Sequence, residues 1–212
     1  RVKLAMSLDG RTALASGESQ WLTGEAARQD VQRLRARSSA ILTGIGTVLA
    51  DDPGLNVRLP DVSRQPLRVI LDTGLRTPPA AKTLQLPGSV LIFTAGADPD
   101  RQASLRAAGA GIAMVPKSGE GLDLAVVMAE LARRECNDVH VECGPTLAGA
   151  LLQAGLVDEL VIYLAPLLLG DKARGLFQLP ELMRMQDRRE LDLIETRAVG
   201  KDWRFTFTPA KN

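Results

Sequence analysis

The residues best suited to chemistry lie in the stretch 139–152, V-H-V-E-C-G-P-T-L-A-G-A-L-L. Val139 and Val141 favour a short strand, Glu142 closes it, and Cys143, Gly144, Pro145 and Thr146 turn directly into a helix rich in alanine and leucine. Glycine lets backbone approach closely, and proline suits a first helical turn, where its missing N–H would be unpaired anyway. The free amides that open such a helix form an anion site fit for a phosphate. Glu142 would stand at the carboxyl end of a strand, where open α/β sheets place their ligands. A tight turn with no ligand fits the same letters, so both readings stand on pattern alone.

Other candidates are scattered. Arg35, Arg58 and Ser19 are the types that hold a phosphate, a guanidinium as a two-pronged fork and a hydroxyl on a remaining oxygen. Taken singly, each reads as a solvated surface residue, and only the fold could join them. Lys3 falls on the polar face of the first strand, unusual for a central strand unless paired or functional. Gly44 and Gly46 follow a strand as G-x-G but lack the third glycine and the acidic residue about 20 positions on that a dinucleotide fingerprint needs, so they read as a tight turn. Asp51 and Asp52 are neighbours that point apart and cannot form an acid–base dyad; one can cap or pair while the other faces a pocket. Trp21 reads as a core residue and His140, between two valines, as a satisfied structural one. No Ser-His-Asp or Cys-His arrangement can be assembled.

Composition narrows the classes. Lys and Arg number 26 against 25 Asp and Glu, a net charge of +1, and aromatics are 3%. Neither the basic face nor the stacking platform expected of a nucleic-acid binder is present. No apolar run reaches the roughly 20 residues of a membrane span; the richest, 160–169, is broken by Pro166 and reads as a buried strand. No secretory leader is visible, so a cytoplasmic protein is expected. Cys136 and Cys143 lack metal or C-x-x-C spacing and read as reduced thiols. With one histidine, no zinc site is expected. The chain opens at Arg1, already inside strand-like sequence, and reads as a piece of something longer.

The elements that must position these residues follow from periodicity. Val2, Leu4, Met6 and Leu8 alternate as a strand, Asp9-Gly10 turns, and 12–15 reads as a short returning strand. Thr23 is placed to cap a helix with Glu25 in its first turn, its apolar positions Ala27, Val31 and Leu34 running to about Arg37. Strands follow at 40–43, 67–71, 90–94 and 112–115, and helices at 100–108, capped by Asp98, and 122–134. Asp52 precedes Pro53 and ends its segment, and 58–66 is a polar loop. After the 139–152 unit, Gly155 stops the helix. A strand at 160–164 precedes two alternating runs, 191–199 and 203–208, joined as a hairpin. Strands alternating with helices predict an α/β fold, a mostly parallel central sheet with helices on both faces and an antiparallel C-terminal hairpin.

Four runs together carry a resemblance: K-L-A-M-S-L-D-G-R-T-A, G-E-S-Q-W-L-T, A-I-L-T-G-I-G-T-V-L-A-D-D-P-x-L-x-V-R and V-E-C-G-P-T-L-A-G-A-L-L, followed by L-V-D-E-L and A-P-x-L-L-G. Their order and spacing resemble, over nearly the whole chain, the reductase half of the bifunctional riboflavin-biosynthesis enzymes of the RibD (RibG) family. The resemblance implies a dihydrofolate-reductase-like fold. The implied activity is NADPH-dependent reduction of 5-amino-6-(5-phosphoribosylamino)uracil to the ribitylamino compound, by hydride transfer to the ribosyl C1 carbon of the ring-opened imine. It implies a homodimer acting on a small phosphorylated pyrimidine, without nucleic acid or membrane. In the family a zinc deaminase domain precedes this one. Nothing here matches the H-x-E and P-C-x-x-C signature of such deaminases. A single reductase domain over 1–212 is therefore expected, joined to a deaminase only in a longer protein.

Carried onto matching positions, the family's cofactor contacts fall on Ala5, Trp21, Thr47, Asp51, Thr73, Gly144, Pro145, Thr146, Leu147, Ala148, Gly149 and Ala150. Its substrate contacts fall on Ser19, Arg35, Leu55, Arg58 and Glu142. Cys143 stands where relatives often carry Gly or Ala, and Thr73 where serine is common. On this reading Ser19, Arg35 and Arg58 hold the phosphate, Glu142 orients the ribose hydroxyls, and Lys3 and Asp51 polarise or move protons near the reacting carbon. A different pterin or pyrimidine reductase on the same fold, or a nucleotide-binding regulatory module, are the alternatives. Folate carries no phosphate, which speaks against the first; the presence of Lys3, Asp51 and Glu142 speaks against the second.

Overall fold

Short apolar runs separated by capped helical segments give the strand–helix alternation expected. The computed structural model describes residues 1–60, 62 and 64–210. In chain order its elements begin with β1 (Val2–Ser7), β2 (Arg11–Ala13), α1 (Glu25–Ala36), β3 (Ala40–Gly44), α2 (Ile45–Asp51), β4 (Leu67–Leu71), α3 (Lys82–Gln85), β5 (Val90–Thr94) and α4 (Pro99–Ala107). They continue with β6 (Ala110–Met114), β7 (Lys117–Ser118), β8 (Gly121–Leu122), α5 (Leu124–Arg133), β9 (Val139–Glu142), α6 (Pro145–Gln153), β10 (Leu160–Ala165), β11 (Arg174–Gly175), β12 (Leu191–Val199) and β13 (Asp202–Pro209). The chain divides into two compact units, one of residues 32–143 and one of residues 1–31 with 144–212.

In the 32–143 unit the strands run β9-β3-β4-β5-β6, every neighbouring pair parallel. Parallel strands buried on both faces read as unbroken apolar runs, and β5, V-L-I-F-T, is buried at every position. One core cluster joins Ile70 and Ile92 of the strands to Ile45 and Val48 of α2 and Leu105 of α4. Burying each such side chain contributes about 1.5–3 kcal/mol. Between Arg58 and Pro66 the described residues carry no helix or strand, as expected for a loop; Asp61 and Ser63 lie outside the described residues.

In the other unit the order is β12-β13-β10-β1. β1 and β10 are parallel, while β10–β13 and β12–β13 are antiparallel. The expected C-terminal hairpin is present, turning at Gly200, whose φ is +64°. A buried acid organises this unit. Asp30 of α1 accepts a hydrogen bond from the Tyr163 hydroxyl at 2.6 Å and faces Arg197 at 2.9 Å and Arg204 at 3.2 Å. Burial works against its charge, but Tyr163 and the two guanidinium groups outweigh it and hold the carboxyl below its ordinary range. Burial and the Asp30 charge push the Tyr163 hydroxyl far up.

Several local expectations are corrected. Thr23 is not the cap of α1: the Gly24 carbonyl accepts the first helical N–H, from Arg28, which makes Gly24 the cap residue. Gly24 gives its own N–H to Asp202 at 2.7 Å, so an acid 178 positions away does the work of a capping side chain. The strand after Asp9-Gly10 does not return against β1 but pairs antiparallel with β11. The Asp9 carboxylate takes the Ser7 hydroxyl and the N–H groups of Leu169 and Gly170, drawing the turn toward the β11 segment. Gly44 and Gly46 do not make a bare turn; Gly44 caps α2, which Ile45 opens. The helix expected from 122 starts at Leu124, because Asp123 accepts the N–H groups of Ala125 and Val126 while Gly121 and Leu122 pair with β7. Gly155 does stop α6, at φ +67°.

Candidate active site

Glu142 ends β9, and a strand's two-residue period puts His140 on the same side. Both meet at one carboxylate. Arg35, from the last turn of α1, lays its fork on Glu142, Nε to Oε1 at 2.6 Å and Nη2 to Oε2 at 2.9 Å. His140 Nε2 lies 3.1 Å from the same Oε1. The third guanidinium nitrogen of Arg35, Nη1, donates to the Asn56 carbonyl at 2.9 Å. One turn back on the same face of α1, Gln32 accepts the Arg58 N–H at 2.9 Å. Segment 56–58 is thus tied to α1 at both ends, which brings Arg35, Leu55, Arg58 and Glu142 into one neighbourhood within the 32–143 unit. Burial works against the Arg35 charge, but the Glu142 charge and hydrogen bonds raise its pKa further still.

The structure also separates the two adjacent aspartates. Asp52, in the left-handed region at φ 41°, accepts the Lys82 backbone N–H at 2.8 Å and faces its ammonium at 3.5 Å, so it caps α3. Asp51 ends α2. Partial burial raises its carboxyl above the ordinary aspartate value, although the residue as a whole keeps an exposed surface. Thr47 lies half-buried on α2, and Thr73 half-buried just past β4, its carbonyl accepting from Ala95 N–H and the Thr94 hydroxyl.

In the other unit, Gly144 is exposed and opens α6, with open space where a side chain would begin. Pro145 has no N–H, and the Ala148 N–H bonds the Gly144 carbonyl at 3.2 Å. The amides of Thr146 and Leu147 are therefore the opening ones of the helix. The Thr146 hydroxyl donates to Gln178 at 2.8 Å. Ala148 and Gly149 turn inward, and a Cβ on Gly149 would overlap the Gln178 carbonyl. The outward face of the run 144–150 is thus narrower than its sequence. Lys3 holds its ammonium 5.7 Å over the Tyr163 ring, and Ala5 and Ser19 are half-buried. Trp21 is not core: it is 69% exposed, with the Arg28 guanidinium 4.9 Å over its ring.

Leu55 is buried as a whole residue, at 2% exposed, and adopts φ +47°. Arg58 is exposed. Both cysteines are free thiols, and burial, with the Glu142 charge, pushes Cys143 up to about 12, which leaves it inert near neutrality. Among the described residues, no group of three or more His, Cys, Asp or Glu could hold a metal ion, and no helix is long and apolar enough to cross a membrane. Beside the expected residues stand His140, Gln32 and Asn56, which contact Glu142, the Arg58 N–H and Arg35. For His140 the signal was present, since V-H-V-E puts residues 140 and 142 on one face.

A mostly parallel sheet with an acid at the carboxyl end of a strand and a glycine-opened helix after it places the chain in the α/β class, whose ligands commonly sit at the carboxyl ends of strands. Comparison narrows this: residues 1–205 match the RibD C-terminal domain, and the chain belongs to that family. It is 45% identical, over 95% of its length, to the riboflavin biosynthesis protein RibD of Escherichia coli strain K12, but spans only 57% of that protein. It is 30% identical, over 93% of its length, to the whole of the 5-amino-6-(5-phosphoribosylamino)uracil reductase of Buchnera aphidicola subsp. Acyrthosiphon pisum. Among solved structures, Acinetobacter baumannii RibD, form 1, superposes with a TM-score of 0.87 at 40% identity, covering 100% of this chain and 58% of that one.

Proposed function

We propose that this chain, as a single reductase domain over 1–212, reduces 5-amino-6-(5-phosphoribosylamino)uracil to 5-amino-6-(5-phosphoribitylamino)uracil with NADPH. Family membership and the name of the Buchnera relative support the reaction class. The observation that carries the reading furthest is the Arg35–Glu142 pair, a carboxylate held in one orientation at the end of β9. Such a carboxylate is fit to accept sugar hydroxyls in a fixed geometry. As parts of the same reading, the chain acts in the cytoplasm, as a homodimer, and joined to a deaminase domain in a longer protein.

The residues fit the cofactor at the start of α6. The amides of Thr146 and Leu147, behind an exposed glycine with no Cβ in the way, suit a pyrophosphate. Ala5, Trp21, Thr47, Asp51 and Thr73 complete the set proposed to hold it, with Pro145 and Ala150 flanking the amides. When bound, NADPH supplies the hydride that the chain cannot. The chain's own residues do the rest. Arg58 and Ser19 hold the substrate phosphate, and Leu55 belongs to the same substrate-binding set. The fork of Arg35 is directed at Glu142, so Arg35 serves the substrate by fixing that carboxylate. The N-glycosidic sugar must open before it can be reduced, and a proton must reach its nitrogen or ring oxygen. Asp51, whose raised pKa keeps its proton to higher pH than a solvated aspartate, and Lys3 handle it.

The test follows NADPH absorbance with the deaminated and the non-deaminated pyrimidine and with dihydrofolate. Oxidation with the deaminated pyrimidine is expected. Oxidation with dihydrofolate in its place would make the chain a different reductase, and NADPH binding without turnover of any of them would make it a regulatory module. Arg58→Ala should raise KM for the pyrimidine by about 10-fold or more, the loss of one charged hydrogen bond. An unchanged KM removes the phosphate assignment.

A further inference from the structure

We propose that His140 is a positioning residue for Glu142: its Nε2–H donates to Oε1 and, with the Arg35 fork, fixes the plane of the carboxylate that meets the substrate. The inference rests on the reading of Glu142 as a substrate contact. His140 sits fully buried on β9, paired in register with Ile41 of β3, and its Nε2 is 3.1 Å from Glu142 Oε1. Arg35 holds Glu142 ionised, with both carboxylate oxygens accepting from the guanidinium. An ionised carboxylate is acceptor only, so the contact exists as a hydrogen bond only if His140 carries a proton on Nε2. The tautomer is therefore fixed by the neighbour.

Arg35 alone leaves the carboxylate free to tilt about the line to the guanidinium. A second donor reaching Oε1 from the strand, two residues back along the chain, fixes that tilt. Supporting donors of this kind hold a site residue to the narrow range of angles that binding in a fixed geometry needs. Oε1 takes both Arg35 Nε and His140 Nε2, whereas Oε2 takes Arg35 Nη2.

The chain holds one histidine, so its ring gives a single set of imidazole resonances. In 15N-labelled full chain, NMR should find the proton on Nε2, and Glu142→Gln should shift that signal. A proton found on Nδ1 with Nε2 bare, or no response to Glu142→Gln, overturns the proposal, and neither measurement needs substrate or turnover. In NADPH oxidation with the deaminated pyrimidine, His140→Leu should raise KM for the pyrimidine by about 10-fold, with KM for NADPH unmoved. His140→Gln, which keeps an N–H at similar reach, should recover most of it. Equal changes in both KM values, or no recovery by glutamine, would make His140 a packing residue. If the wild type shows the Nε2 tautomer and the Glu142 response but reduces no pyrimidine, the proposed function has failed and the contact stands.

Discussion

For Asp51, the consequences for stability and for the proposed proton-handling role run in opposite directions. Its folded pKa is raised by burial. The protonated form is thus the one the fold favours: its contribution is fully present below the unfolded value and is lost as pH rises through the folded one. Asp51→Asn should keep or raise the melting temperature at neutral pH, and the advantage should fade as the pH falls through the carboxylate range. A pH series of thermal melts checks this; a variant less stable at pH 7 than the parent would show that the ionised form is held by a partner. For activity the expectation reverses. General acid catalysis contributes about 10²–10⁴-fold, so Asp51→Asn or Lys3→Met should lose a large part of kcat. Full kcat in both removes the proton-handling role from them.

Among the elements, α6 divides between a buried packing face and the exposed start proposed to receive the cofactor. Its opening residues are outward, whereas Ala148, Gly149, Leu151 and Leu152 are buried. Gly149 is set by close approach: the Gln178 backbone occupies the space a methyl group would need. Backbone cannot move aside as a flexible side chain would, so Gly149→Ala should cost about 1–3 kcal/mol as overpacking. Chemical denaturation gives the value, and an unchanged midpoint would mean that α6 and the 178 segment are not in contact. α1 is likewise divided along its length, with Asp30 tied to Tyr163, Arg197 and Arg204, and Arg35 one and a half turns later tied to Glu142. A helix built for propensity alone would not bury two opposite charges. Both are tolerated because each meets its partner within hydrogen-bond distance.

For the molecule as a whole, the near-balance of charge, +1 overall, leaves pH stability to particular groups rather than to net repulsion. Asp9, Asp30 and Glu130 all have carboxyl pKa values held below the ordinary range, Asp9 mainly by the Ser7 hydroxyl and Glu130 by Arg133 and Arg134. Their stabilising contribution is present above the unfolded carboxylate values and lost as pH falls through the folded ones, so the protein should unfold in acid. Asp30 is the buried member. Asp30→Ala leaves Arg204 and the Tyr163 hydroxyl buried without it and should cost about 3–5 kcal/mol at neutral pH. It should also flatten the acid limb of the stability curve. Equal acid sensitivity in parent and variant would assign that limb to other groups.

Sequence by itself determined what depends on near neighbours. V-H-V-E-C-G-P-T had to become a strand, a turn and a helix, because β-branched alternation, a glycine and an N1 proline act within a few residues. The strands, the C-terminal hairpin and the Asp98 cap were legible for the same reason, as was the resemblance carried by four ordered motifs. Tertiary structure alone decided what depends on distant partners. Arg35 read as a surface residue until a carboxylate 107 positions away claimed its fork. Which aspartate of the pair is taken up by the start of α3 depended on Lys82, 30 residues on. Thr23 lost its cap to an acid from the C-terminal hairpin, and Trp21, apolar enough for a core, lies outside it under an arginine. Charges and hydrogen bonds act over a few ångströms in space, whatever the separation in sequence. Local pattern therefore specifies the elements, and only the folded chain shows which side chain each charge meets.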